Sequence, residues 1–243
     1  MRNLTLIFVI LIIISCSKQD DHGNMNIFKK ILNKKETIRE FTEEEFTKYN
    51  ELKMAGLEYI LGKSYNFVFH SVMPYDLGGL VDLCCFPNGI KGTGFATMEL
   101  IQPDGTGPIK NSLGTYELVA FTKLPLVQDT NETIPFNLIK NRICRIFTCT
   151  GLYSSETKLE PLETCDIPLN KDEPSACCIL DEYKPAGKEF KIGEKKHGLL
   201  LIIEVHRNEM EYAMANGTEE LIKKLKDKGY YPYSDLDRES VIK

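Results

Sequence analysis

The sequence predicts an α+β domain, a largely antiparallel sheet with helices packed at its ends. Three observations carry that expectation. Short β-rich runs follow one another between residues 66 and 122, separated by turn clusters and without helical period, which favours antiparallel pairing. Helical spacing is confined to separate blocks beginning near Thr42, Pro135 and Glu209. Leu199-Leu200-Leu201-Ile202-Ile203-Glu204-Val205 is a near-continuous apolar run, the pattern of a central strand buried on both faces.

Each element has its own signal. Thr42-Glu43-Glu44-Glu45 reads as a capping box, and three acids in the first turn suit the helix dipole. Phe46, Tyr49, Leu52, Ala55 and Tyr59 recur at helical spacing, and Gly62 marks the stop. Strands are expected over 66–73, 79–86, 94–101 and 115–122. The turns between them are Pro74-Tyr75-Asp76, Pro87-Asn88-Gly89 and Pro103-Asp104-Gly105. Pro135 fits the first turn of a second helix, with Phe136, Ile139, Ile143 and Ile146 on one face. Residues 150–195 hold short candidate strands, among them Cys177 to Leu180. Two short helices close the chain, near 209–215 and 218–228; Asn216-Gly217 ends the first and Thr218 caps the second.

Chemistry-bearing motifs are sparse. Gly92-Thr93-Gly94 lacks the following Lys-Ser/Thr of a phosphate loop and precedes a strand, so it reads as a turn. His70 lies inside a strand and His206 ends one, and no serine or cysteine sits in a G-x-S-x-G elbow. Glu99 and Glu117 are placed to face each other across strands as a carboxylate pair if the register allows. Asp235, Asp237 and Glu239 surround Arg238 without a calcium-loop order, the pattern of a solvated or ion-paired tail. These residues define no catalytic set, no metal site and no cofactor site, and the expectation is a protein that is not an enzyme.

The N-terminus gives the address. An uncharged eleven-residue apolar run, Leu4 to Ile14, follows Arg2 and ends at Ser15-Cys16, after which the sequence turns polar. As a helix this run spans about 16 Å, roughly half a hydrocarbon core, so it suits a signal segment better than a membrane span. The layout resembles a bacterial lipoprotein signal peptide, with Ile14 in place of the usual small residue two before the cysteine. That resemblance implies cleavage after Ser15, lipidation of Cys16, and a mature protein attached to the bacterial cell envelope. Ser17 is not the acidic residue that signals inner-membrane retention, which favours an outer membrane where one exists. The expected organisation is a signal peptide over 1–15, a lipidated cysteine and flexible tether over 16–40, and the α+β domain over 41–243.

Removing residues 1–15 leaves 228 of the 243 residues, and loss of Arg2 takes the formal charge from −5 to −6. An acidic chain without a basic block gives no electrostatic reason to bind nucleic acid or anionic lipid, so the lipid is the expected sole anchor. Seven cysteines remain after Cys16, including the adjacent pairs Cys84-Cys85 and Cys177-Cys178. Neighbours on a strand point to opposite faces, so each pair is expected to send one sulfur to the core and one outward. No CxxC spacing supports zinc, and buried thiols acting as small hydrophobes are the preferred reading, with disulfide pairing left open.

Several segments together resemble the suppressor-of-fused domain. Phe67-Val68-Phe69-His70, Gly79-Leu80-Val81-Asp82-Leu83 and Phe86-Pro87 look like its early strands. Gly94-Phe95-Ala96-Thr97-Met98-Glu99-Leu100 and Thr115-Tyr116-Glu117-Leu118-Val119 are similar to its Thr-Met strand and its Tyr-x-Glu-Leu strand. Leu199 to Val205, Glu209 to Ala213 and Asn216 to Leu221 follow its apolar strand and two-helix order, and Asp235-Leu236-Asp237-Arg238 resembles its Asp-x-x-Arg. The departures are Glu99-Leu100-Ile101 in place of Gly-Met-Ser, Asn216 where histidine is frequent, and the absence of tryptophan.

The resemblance implies a divergent member that binds protein. The animal relative sequesters transcription factors of Hedgehog signalling, and bacterial relatives include immunity proteins against polymorphic toxins. The expected function is therefore a non-catalytic, protein-binding envelope lipoprotein, an immunity protein with a toxin as partner. No partner-binding residue transfers by motif. The alternatives are an envelope enzyme with a dispersed site using His70, Glu99 or Glu117, and a structural lipoprotein that holds a small ligand.

Overall fold

The computed structural model describes residues 41–65, 68–69, 79–169 and 173–242. The signal segment, Cys16, the tether, His70 and the Pro74 turn lie outside the described residues. In chain order the elements are α1 (Glu43–Leu61), β1 (Val68–Phe69), β2 (Leu83–Phe86), β3 (Thr93–Thr97), β4 (Tyr116–Thr122), α2 (Pro135–Ser154), β5 (Thr164–Ile167), β6 (Ala176–Glu182), β7 (Lys191–Ile192), β8 (Lys195–Lys196), β9 (Gly198–Glu204), α3 (Arg207–Asn216) and α4 (Thr218–Asp227). Seven strands make one sheet in the order β1-β2-β3-β4-β9-β6-β5, and β7 and β8 form a separate hairpin. Every neighbouring pair in the large sheet is antiparallel except β4 with β9. The α+β class and the largely antiparallel sheet are those expected from the sequence, and the helices lie over both faces of the sheet. α1, α3 and α4 pack on one face and α2 on the other.

Local signals set the helix ends. The Thr42 hydroxyl accepts from Glu45 N–H at 3.2 Å, and the Glu45 carboxylate accepts from Thr42 N–H at 3.1 Å, closing the capping box. Gly62 ends α1 at φ +86°, where a Cβ would come within 2.7 Å of the Gly89 backbone. Gly217 ends α3 at φ +98° and also stands at the N-cap of α4. Thr218 is therefore the first residue of α4 and not its cap, a correction to the sequence reading. Asn216 has only one residue between it and the next helix, which leaves no room for a separate capping residue.

The buried face of α1 also differs from expectation. Leu57, Ile60 and Leu61 are buried together with Lys53, whereas Phe46, Leu52 and Tyr59 are exposed. A lysine occupies the position on which the true stripe depends, so apolar spacing alone selects the wrong side of the helix.

Because both faces are covered, the sheet alternates between two cores. β9 shows this most simply: Leu199, Leu201 and Ile203 face the α1/α3/α4 side, and Leu200 and Ile202 face α2. The adjacent cysteines follow the same alternation. Cys84 and Cys177 enter one core, Cys85 and Cys178 the other, and all four are buried. The expectation that one sulfur of each pair faces outward fails for this reason. The seven described cysteines are all free thiols.

The C-terminal residues lie across the sheet. Ser234 N–H donates to Phe121 C=O at 2.8 Å, and the Asp235 carboxylate accepts from Thr122 Oγ1 at 2.5 Å and Lys123 N–H at 2.8 Å. Arg238 grips Glu209 with two nitrogens, at 2.6 and 2.7 Å. The segment expected as a solvated or ion-paired tail is thus ion-paired at Arg238, while Asp235 is buried against β4.

Candidate protein-binding surface

The sequence candidates for acid–base chemistry separate into different roles. Glu117 is fully buried on β4, facing α1, and its carboxylate accepts from Lys53 Nζ at 2.9 Å, Thr97 Oγ1 at 2.6 Å and Ile101 N–H at 3.0 Å. Lys53, 1% exposed, donates also to the carbonyls of Met98 at 2.7 Å and Ile101 at 2.5 Å. Every strong donor and acceptor of this cluster is used inside the protein, the condition under which a buried ion pair is tolerated. Its product is a fixed course for the chain after β3. Tyr49 closes the cluster, its hydroxyl donating toward the Ile101 and Gln102 carbonyls at 3.4 Å. Burial, with Glu117 and Asp104 nearby, pushes the Tyr49 phenol up to about 12. Glu99 follows the end of β3, and its carboxylate accepts from Asp82 N–H at 2.7 Å. The two glutamates are therefore engaged in separate structural bonds and do not form the cross-strand pair that the sequence allowed. Among the described residues no group of three or more His, Cys, Asp or Glu is placed to hold a metal ion.

A different region presents an unfilled surface. Among the described residues β5 is an end strand of the sheet, paired only to β6. A sheet edge carries backbone N–H and C=O groups that can pair with another chain. Two adjoining concavities lie along it, of about 500 and 580 Å³, sharing Tyr153, Leu159, Thr164 and Cys165 in their walls. The first reaches around β5 to Met214 and Gly217 at the α3–α4 corner, so it straddles the edge.

Exposed apolar side chains rim both hollows. Leu152 and Tyr153 come from the last turn of α2, Leu162 precedes β5, and Met214 lies near the end of α3, at 68% exposure. Clustered exposure of this kind marks an interaction site more often than isolated exposed residues do. Leu162 has φ +72°, the left-handed region that a branched side chain adopts at a cost. Its N–H donates to Leu180 C=O at 2.8 Å, which holds it there.

Polar and charged groups flank these apolar side chains, and they are braced by bonds within the protein. Arg207 pairs with Asp166 at 2.6 Å and reaches Ser175 at 2.9 Å. Glu160 accepts from Lys158 and from Ser112 N–H, and those bonds hold its carboxyl down to about 2. An apolar centre with a polar rim is the ordinary anatomy of a protein interface. The sequence did not expose this surface, because its members are scattered over residues 149–217 and meet only through the packing of α2 and α3 beside β5.

Comparison with solved structures defines the fold. The chain is similar to a suppressor-of-fused homologue from Neisseria gonorrhoeae, with a TM-score of 0.53 and 12% identity over 81% of this chain and 98% of that one. It is also similar to a chain of the Sufu–Fu complex, with a TM-score of 0.52 and 12% identity over 77% of this chain and 90% of that one. No family model and no curated protein matches the sequence. The fold is a divergent suppressor-of-fused-like one, as the strand and helix motifs implied.

Proposed function

We propose that this chain is a non-catalytic protein-binding domain that takes its partner along the β5 edge, with Leu152, Tyr153, Leu162 and Met214 as apolar anchors. The observation that carries the reading is the coincidence of an open strand edge, two hollows that run along it, and these four exposed side chains. Such a surface fits an extended segment of a protein, with backbone pairing for affinity and side-chain hollows for specificity. A fold shared with a chain of the Sufu–Fu complex supports a binding role by analogy.

The finer reading adds an address and a partner class. The domain is held on the bacterial envelope by lipid on Cys16, and the partner is an incoming toxin that the domain neutralises. The apolar run that ends at Cys16 supports the anchor. A palmitate analogue fed to cells should label the wild-type protein and not Cys16→Ser; equal labelling of both removes the anchor. Deletion of the protein should sensitise cells to a neighbouring toxin-producing strain, and unchanged survival removes the immunity role while leaving binding to be tested separately.

A further inference from the structure

Cys165 on β5 and Cys178 on β6 are direct cross-strand partners. Both pack into the α2-side core, so their side chains leave the sheet on the same face. Among the described strands no other pair places two cysteines opposite each other: Cys84 faces Val68 and Ala96, Cys85 faces Phe95, and Cys177 faces Asp166.

The ladder fixes the type of pairing. Leu180 N–H donates to Glu163 C=O, so alternation makes Thr164 with Ile179 a non-hydrogen-bonded position and Cys165 with Cys178 a hydrogen-bonded one. The Cα atoms of such a pair stand about 5.5 Å apart, inside the disulfide range. The Cβ atoms of facing residues stand about 4.5–5.5 Å apart, somewhat more than the roughly 3.5–4.5 Å of a relaxed bridge. Among the described strands β5 is an edge strand bonded only to β6, so it can close this gap, at the cost of strain that makes the bond easy to reduce.

We propose that Cys165 and Cys178 are a disulfide site, a reversible cross-strand bridge that ties edge strand β5 to β6 in the presence of a disulfide oxidant. The half-buried Cys165 reacts first, as Cys178 is fully buried. The Cys165 thiolate attacks one sulfur of the oxidant RSSR, giving a Cys165–S–SR mixed disulfide and releasing RS⁻. The Cys178 thiolate then attacks the Cys165 sulfur and releases the second RS⁻. The two cysteines lose two protons and two electrons, and the oxidant leaves as two thiols. Burial pushes the Cys165 thiol up to about 11 and the Cys178 thiol well above the ordinary thiol value, so exchange is slow at neutral pH.

Cys149 is the competitor, because it lines the same hollow as Cys165. Its thiol donates to the Pro168 carbonyl at 3.6 Å.

Peptide mapping separates the outcomes. The purified full-length chain, in detergent, is incubated with oxidised glutathione, alkylated, and digested with trypsin without reductant. Cleavage at Lys158 and Lys171 puts Cys149, Cys165 and the Cys177-Cys178 pair on three different peptides. The expected product is the 159–171 peptide joined to the peptide that begins at 172, with loss of both alkylation sites. It forms equally in Cys177→Ala and Cys149→Ala, and dithiothreitol reverses it. Recovery of Cys165 as a free thiol, as a glutathione adduct alone, or joined to Cys149 or Cys177 overturns the proposal.

Discussion

Lys53 sets the course of the chain after β3 through three bonds, to Glu117 and to the carbonyls of Met98 and Ile101. Replacement by methionine keeps most of the side-chain volume and strands the Glu117 carboxylate in the core. Removing one partner of a buried pair costs about 3–5 kcal/mol. Lys53→Met is therefore expected to lower the free energy of urea unfolding by about that amount, and Glu117→Gln by less, since the amide oxygen still accepts from the backbone. A Lys53→Met protein with wild-type stability would show that the cluster does not hold the loop. Glu209 gives a second residue-scale test. Burial raises its carboxyl pKa, but the Arg238 guanidinium and the N–H groups of Val241 and His206 outweigh burial and hold it below the usual carboxylate range. A carboxyl with a depressed folded pKa contributes stability above its unfolded pKa, about 4.3, and loses it as pH falls through the folded value. Urea midpoints measured downward from pH 5 should fall more steeply for the wild type than for Glu209→Gln. Equal slopes would mean that the Arg238 clamp carries no pH-linked stability. Lys53 is also where sequence reasoning failed, because a lysine in a core position is invisible to apolar periodicity until its carboxylate partner, 64 positions away, is known.

The elements themselves were mostly legible. The Thr42 capping box with the Gly62 stop, the start at Pro135 and the Gly217 break between the two closing helices were legible, because these signals act within a few residues. The central place of Leu199 to Val205 follows from its unbroken apolar run, and β9 does lie between β4 and β6. Its parallel pairing with β4 was not legible, because the intervening 75 residues hold α2 and four strands and no local rule selects the neighbour. The face of each cysteine in an adjacent pair was legible, but the helix layer that buries the second one was not. Leu162 makes an element-scale prediction at the entry to β5. Leu162→Gly removes the left-handed penalty of about 1 kcal/mol and should raise stability by up to that much. The same change deletes one anchor of the proposed surface, so partner affinity should fall while stability rises. A variant that loses stability would mean that the φ +72° backbone is not strained, or that Leu162 packs more than its 40% exposure indicates.

At the scale of the molecule, among the described residues one face of the sheet carries three helices and the other carries α2, while β5 is paired only to β6. The C-terminal segment ties α3 back to the central strand β4 through Arg238–Glu209 and Asp235–Thr122. The resemblance carried by the strand and helix motifs reached the correct fold, but it could not reach the surface, since no binding motif transfers at 12% identity. The account rests on that surface. The most direct test compares co-purification from the native cells, by quantitative mass spectrometry, for wild-type protein, Tyr153→Asp with Met214→Asp, and Tyr59→Asp. Tyr59 is exposed and apolar but lies on α1, away from β5, so its variant controls for added surface charge. The predicted result is a specific protein partner kept by the wild type and Tyr59→Asp and lost from the double variant, with all three equally stable to urea. Equal recovery of that partner by the double variant would contradict binding at the β5 edge.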